Sequence, residues 1–112
     1  MSRWMRHGLI AIAVPVLAVS LPAAGKGDAA AGKEVYKTHC AICHGPNGEG
    51  NPNIAKRLKV TMRHLGSKEV QAKSDDELRK DITKGTGQMK PAGLKAGEVD
   101  DVIAHMRTLK EK

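Results

Sequence analysis

Two cysteines and a histidine stand together in this sequence and could do chemistry as a unit. Cys40 and Cys43 are the only cysteines of the chain, they are three positions apart, and His44 follows at once (CAICH). Two thiols at this spacing near a helix end can each form a thioether with one vinyl group of a porphyrin. The adjacent imidazole is then held under the iron as its proximal ligand. The spacing therefore predicts covalent attachment of one haem c, an iron porphyrin.

Other uses of a C-x-x-C pair fit the rest of the sequence less well. A redox-active disulfide normally accompanies strands in βαβ units, and the sequence has no strand pattern. A structural zinc ion needs four ligands, and there is no second cysteine pair to supply them. A lone structural disulfide of a secreted domain stays open as an alternative.

The elements around the cysteines are predicted to be helices and loops. A helix over residues 28–43, with Asp28 as its N-cap, would carry both cysteines near its end. Residues 45–53 (GPNGEGNPN) are rich in turn residues and predict an irregular loop. The apolar spacing in residues 54–65 predicts a short amphipathic helix.

The second half of the chain has clear helix boundaries. Ser74 and Glu77 form a capping box ahead of a helix, and Gly85 is placed to end it. An irregular loop follows over residues 85–93. The last helix is predicted over residues 98–109, with acids at its start and basic residues near its end.

The predicted domain has few large side chains for a core. The chain has no phenylalanine, and Tyr36 is its one tyrosine. The one tryptophan, Trp4, lies in the N-terminal segment and outside the predicted domain. A domain this small has difficulty burying enough apolar surface. A porphyrin would supply the missing core.

The N-terminal segment reads as an export signal. Two arginines precede a short apolar stretch, residues 9–21, which is shorter than the roughly 20 residues needed to span a bilayer. Ala23 and Gly25 fit the small-x-small cleavage pattern. We therefore expect a cleaved signal peptide over residues 1–25 and a periplasmic domain over residues 26–112. An uncleaved membrane anchor is the alternative.

Four stretches follow one another in a familiar order: GKEVYKTHCAICHG, NPNI, SDDELRKDITKGTGQMKPAG and DVIAHMRTL. Together, over about residues 28–109, they resemble the small class I c-type cytochromes. The resemblance implies an all-α fold of about four short helices wrapped around one covalently attached haem.

The resemblance also implies that Met89, in the loop after the third helix, is the distal iron ligand. The residues give a separate reason, because an apolar side chain in this polar loop needs one, whereas Met62 and Met106 lie on predicted helix stripes. In the family a proline often follows this methionine directly, but here Lys90 stands before Pro91. Met89 packing without ligating the iron stays open.

Three other histidines are rival candidates for the sixth ligand. His39 neighbours a haem-binding cysteine and would have to point away from the iron, and His64 lies in a basic stretch. His105 stands where the resembled family usually has an aromatic residue that packs on Gly32 and Tyr36. We expect it to serve in helix packing, at a crossing that is weaker or more polar than usual.

Further residues are expected to support the haem. NPNI resembles the family's Gly-Pro-x-Leu segment, whose proline carbonyl accepts a hydrogen bond from the ligating histidine, and Pro52 is the matching residue. The propionates need donors, and Lys56, Arg57 and Lys59 follow closely. These three cations are also explained as a solvated run.

Iron with both axial positions filled has no site for a substrate, and no acid–base or nucleophile constellation is apparent. We therefore expect a soluble electron-transfer protein and not an enzyme. The formal net charge of the chain is +7, and it falls to +5 without Arg3 and Arg6 of the expected signal. This basic charge predicts transient, electrostatic contacts with other redox proteins through a basic face. Nucleic acid is disfavoured, because no aromatic residues are interleaved with the basic ones. A membrane contact is expected only if the signal is uncleaved.

Two other functions remain possible from the sequence. The chain could be a haem subunit of a larger oxidoreductase complex, which the same residues would serve equally well. It could also be a haem enzyme or gas sensor with an open sixth site, for which Arg63 and His64 are the candidate distal residues.

Overall fold

The computed structural model describes residues 8–17, 27–109 and 111. Over this part of the chain the regular secondary structure is helical. The only β-type pairing among these residues is an isolated bridge between Thr86 and Met89. The helices are α1 (Ala29–His39), α2 (Ala41–His44), α3 (Pro52–Leu58), α4 (Lys68–Gln71), α5 (Asp75–Lys84) and α6 (Ala96–Met106). The all-α prediction is confirmed.

The crossing of α1 and α6 is the centre of the fold. Gly32 is buried at this crossing. A Cβ at this position would overlap the backbone carbonyl oxygen of Asp101, so no other residue fits without moving the helices. The backbone N–H of Asp28 also donates to the Asp101 carboxylate, at 2.8 Å. The absence of a side chain at Gly32 therefore lets the two helices meet backbone against backbone.

His105 lies in this crossing, as the sequence predicted. It is only 7% exposed, and its ring centroid is 5.1 Å from that of Tyr36, with the ring planes tilted by 56°. The crossing therefore contains a polar ring at a position that would suit an apolar one.

Beside the crossing lies an aliphatic core. Its buried members, called here the core cluster, come from α4, α5 and α6: Val70, Leu78, Ile82, Val99, Val102, Ile103 and Met106. Six partly buried residues pack against the cluster: Val35, Cys40, Leu65, Met89, Ala92 and Leu94. A cysteine from the C-x-x-C-H segment and the methionine of the later loop thus contact the same core.

The boundaries of α5 agree with the sequence prediction. The Ser74 hydroxyl accepts a hydrogen bond from the backbone N–H of Glu77, at 3.1 Å. Gly85 ends the helix with a φ of +76°, a conformation that glycine adopts at little cost. Each cap involves residues only a few positions apart, which explains why the sequence alone was sufficient to predict where α5 begins and ends.

The helix predicted over residues 54–65 is wrong at both ends. It begins at Pro52, because the Asn51 side chain caps it and proline is well suited to a first helical position. It stops at Leu58, because Lys59 adopts a left-handed conformation with a φ of +54°. Residues 60–64 have no regular structure, so Met62 does not lie on a helix stripe.

Three other boundaries differ from the sequence prediction. The helix predicted over residues 28–43 is broken at Cys40, so that His44 ends a separate turn, α2. The short α4 was not predicted. The last helix begins at Ala96 and ends at Met106, earlier at each end than predicted.

Residues 8–17 are exposed and have no regular structure. In the described part of the chain, no helix combines the length and the apolar character that a membrane crossing requires. The predicted cleavage pattern, Ala23 and Gly25, lies outside the described residues.

Candidate haem-binding site

Both cysteines of the C-x-x-C-H segment are half-buried and free. Cys40 occupies the break between α1 and α2, and Cys43 and His44 lie on α2. Burial raises the pKa of the Cys40 thiol to about 11, with a further contribution from Cys43. Redox-active C-x-x-C motifs have depressed thiol pKa values, so this environment does not favour disulfide exchange.

The segment is fastened to the loop that follows it. Gly50 N–H donates to the carbonyl of His44 at 2.6 Å, and Asn51 N–H donates to that of Cys43 at 2.9 Å. The Asn51 side-chain amide also donates to the carbonyl of Ile42 at 3.0 Å, while its side-chain oxygen caps α3. Our sequence reasoning missed this role, although an asparagine directly before a proline is a recognisable cap signal.

A second attachment comes from α1. The hydroxyl of Tyr36 donates to the carbonyl of Gly45, the residue after His44, at 2.5 Å. Tyr36 is 1% exposed, and burial is the main cause that raises the pKa of its hydroxyl to about 12. The hydroxyl therefore remains a donor throughout the physiological pH range.

His44 has the properties that an iron ligand needs. Burial lowers its pKa, which favours the neutral imidazole. Its Nδ1 atom is buried and has no hydrogen-bond partner among the described residues. A ligating histidine normally gives this N–H to a carbonyl or carboxylate. The hydrogen bond expected at the Pro52 carbonyl is not formed in this structure, so the role of Pro52 stays a prediction.

Met89 is held by a tight loop after α5. Thr86 and Met89 exchange two backbone hydrogen bonds of 3.0 and 2.9 Å, and Ala92 N–H donates to the carbonyl of Ile82 at 3.0 Å. A Cβ at Gly85 would lie 2.5 Å from the Met89 carbonyl oxygen, so only glycine fits there. The loop thus turns the half-buried Met89 back onto the core cluster.

The rival ligands lie in other environments. His39 is exposed on α1, and Met106 is buried within the core cluster. The Nδ1 atom of His64 accepts the backbone N–H of Gly66 at 2.8 Å, within its own turn. His105 is buried against Tyr36 at the helix crossing.

A cavity of about 310 Å³ lies beside the C-x-x-C-H segment. Gly50 and Asn51, which bond to that segment, also line the cavity. The remaining lining residues come from α3 and the chain on either side of it: Glu49, Pro52, Ala55, Val60, Thr61 and Met62.

In the described residues no group of three or more His, Cys, Asp and Glu side chains could hold a metal ion alone. A porphyrin differs in this respect, because it brings its own four nitrogen ligands.

The donor set therefore fits a haem c. Two free thiols are available for thioethers, and the neutral His44 imidazole and the Met89 thioether both suit iron. When bound, the haem supplies a one-electron couple. The protein residues attach it, orient it and surround it.

Comparisons with known proteins identify sequences related to this chain. The sequence model of the Cytochrome c family matches residues 29–110. Over 90 residues, the chain is 37% identical to cytochrome c-554(547) of Halothiobacillus neapolitanus, covering 75% of this chain and 99% of that protein.

Solved structures show the same relationship. The KustC0563 c-type cytochrome aligns with a TM-score of 0.61 and 30% identity, over 71% of this chain and 98% of its own. Cytochrome cL from Hyphomicrobium denitrificans aligns with a TM-score of 0.58 and 25% identity, over 74% of this chain and 48% of its own. The chain belongs to the cytochrome c family, has its all-α fold and carries a covalently bound haem c.

Proposed function

We propose that this cytochrome is an exported one-electron carrier whose iron is ligated by His44 and Met89. The observation that carries the proposal is the placement of Met89. The loop after α5 brings this methionine onto the core cluster. Cys40 packs against the same cluster, so a haem attached at Cys40 would lie on the side of the core where Met89 is found.

Ligation by both residues would explain the function in physical terms. His44 and Met89 would hold the iron from two sides, would leave no vacant position for a substrate, and would let the haem supply a one-electron couple without a change of ligands. A methionine sulfur would also raise the reduction potential of the haem relative to ligation by two histidines. The fixed backbone bonds around both ligands limit their movement between the two oxidation states.

The local geometry supports a carrier over an enzyme with an open site. A peroxidase-like site would need a distal histidine or arginine aimed over the iron. His64 is engaged with Gly66 N–H in its own turn, and Arg63 is exposed.

The test is an absorption spectrum of the holoprotein with two methionine variants. Met89→Ala should abolish the weak far-red sulfur-to-iron charge-transfer band while the haem stays attached. Met62→Ala is the matched control, because Met62 is also half-buried in an irregular segment. A band that survives in Met89→Ala would refute the ligand assignment. A high-spin wild-type spectrum that shifts with carbon monoxide would favour the open-site alternative.

We also infer that partners bind through a basic face on α3 and the chain after it. Lys56, Arg57, Lys59 and Arg63 are exposed, and in the described residues none of them is in an ion pair. By contrast, Lys73, Arg79 and Arg107 are paired with carboxylates. These four cations lie within eight consecutive residues, and such a concentration of unpaired positive charge attracts an acidic partner at long range.

An electrode test compares two charge reversals of equal size. The double variant Lys56→Glu and Arg57→Glu should lose electron exchange with a carboxylate-terminated monolayer on gold. Lys68→Glu with Lys80→Glu, also exposed and in no ion pair within the described residues, should retain it. Equal losses in both would mean that only net charge matters, and a loss confined to the control would place docking elsewhere.

Export is tested by the mass of the protein recovered from the periplasm. Cleavage after Gly25 would give a mature chain that begins at Lys26 and carries one haem. A full-length chain recovered with membranes would favour the anchor.

A further inference from the structure

We propose that His105 is a positioning residue for the haem-binding segment, which it supports through Tyr36 in a manner that weakens as the pH falls. The family shows that the chain carries a covalent haem, which this segment is expected to attach. Only the redox measurement described below rests on the proposed His44 and Met89 ligation.

The first step is the unusual state of the His105 side chain. It is buried at 7% exposure, and its Nε2 atom has no hydrogen-bond partner among the described residues. Buried polar atoms are normally satisfied, because an unmatched one loses its hydration without compensation. A phenylalanine here would fill similar space without this cost, so the imidazole needs a reason beyond packing.

The second step is the path from His105 to the haem-binding segment. The His105 ring packs on the Tyr36 ring, and the Tyr36 hydroxyl donates to the carbonyl of Gly45. That same carbonyl also accepts Gly48 N–H at 3.3 Å. Gly45 follows His44 directly, so two contacts connect the His105 ring to the proposed iron ligand.

The third step is the charge around the ring. The positive charge of Lys33, on α1, disfavours a positive charge on the His105 ring. On α6 the nearest acid one turn earlier is Asp101, whose carboxylate already accepts Asp28 N–H. From the loop after α2, Glu49 lies towards Tyr36, and its carboxylate accepts Asn47 N–H at 2.7 Å. No carboxylate hydrogen-bonds to the His105 ring within the described part of the chain.

The position near the end of α6 works in the opposite direction, because a helix C-terminus favours a cation. Burial outweighs this effect, and burial followed by Lys33 lowers the pKa of His105 below 6.5. The unfolded chain therefore binds this proton more readily than the folded one as the pH falls below 6.5. The neutral ring stabilises the crossing above that range, and stability is lost between 6.5 and the lower folded-state pKa.

The main test is thermal unfolding of the holoprotein from about pH 7.5 to about pH 5, the range in which histidine changes charge. Wild type should lose stability relative to His105→Phe as the pH falls. His39→Gln removes an exposed histidine of α1 and should follow the wild-type curve. Parallel curves for wild type and His105→Phe would overturn the proposal. If His105→Phe does not fold, His105→Tyr serves the same comparison.

A second measurement separates positioning from simple stability. The reduction potential of folded wild type should shift as the pH falls below 6.5, because a proton on His105 would weaken its packing on Tyr36 and loosen the segment that carries His44. His105→Phe should remove this component. In a Tyr36→Phe background, which keeps the ring but loses the hydroxyl, the same substitution should change the profile less. An equal change in both backgrounds would show that Tyr36 is not the link and would overturn the proposal.

Both results can be told apart from a failure of the ligand assignment. The far-red band of His105→Phe at about pH 7.5 should match that of wild type. The unfolding comparison does not depend on which side chain is the sixth ligand, so it tests His105 even if Met89 proves not to bind iron.

Discussion

Gly32→Ala tests the crossing of α1 and α6 against an opposing local effect. An alanine in a helix interior is favoured over glycine by about 1 kcal/mol, so propensity alone predicts a more stable protein. At Gly32, however, the new methyl group would overlap the carbonyl oxygen of Asp101 and lie 3.0 Å from the backbone nitrogen of Val102. Backbone atoms of a packed helix cannot turn aside as a flexible side chain can.

The steric effect should be the larger one. Overpacking a close contact costs about 1–3 kcal/mol, and a clash with backbone belongs near the upper end of that range. Separating the helices would also expose Tyr36 and Val102, each 1% exposed. Subtracting the gain in propensity leaves a net loss of about 2 kcal/mol, or roughly 8–16 °C in Tm for a domain of this size.

Thermal unfolding of the holoprotein, followed by far-ultraviolet circular dichroism, measures this loss. Gly97→Ala is the matched control, because Gly97 is also in a helix but is exposed and has no atom within 4 Å of an added Cβ. It should raise the Tm by roughly 2–4 °C. A Gly32→Ala protein as stable as wild type would refute the backbone-to-backbone packing of α1 and α6.

Two further substitutions test how the other helices are held, each measured by urea unfolding. Ser74→Ala removes the N-cap of α5 and should cost about 1 kcal/mol, and Ser74→Asn should restore most of it. Arg107→Met removes bonds to the Asp75 carboxylate and to the carbonyls of Gln71 and Lys73, and should cost about 2 kcal/mol. Arg79→Met, which breaks ion pairs only with carboxylates, should cost less, and equal losses would contradict the importance of the carbonyl bonds.

The features that the sequence predicted well are those set by neighbouring residues. The start of α5 depends on Ser74 and Glu77, three residues apart, and its end on Gly85. The Cys-x-x-Cys-His spacing is equally local, and the family match over residues 29–110 confirms the haem that it predicted. Such signals need no knowledge of the tertiary structure.

The errors fall where the sequence pattern carries no signal for the turn or the partner that decides the outcome. The apolar spacing of residues 54–65 continues past Leu58, but Lys59 turns the chain there, and no glycine or proline marks the place. The brief α4 is stabilised partly by contacts beyond itself, because Gln71 donates to the carbonyl of Met106 at 3.0 Å. A sequence pattern alone does not contain such a partner.

The two sides of the proposed haem site are held by separate sets of bonds, and Cys40 on one side and Met89 on the other both pack against the core cluster. On the proximal side, Tyr36 and Asn51 fix the C-x-x-C-H segment from opposite directions along the chain, through the carbonyls of Gly45 and Ile42. On the other side, the Met89 loop is closed onto α5 by its own backbone bonds. All of these bonds are made by protein atoms, so they would restrain His44 and Met89 if both residues ligate the iron as proposed. Such restraint would suit the proposed one-electron carrier, whose ligands should move little between the two oxidation states.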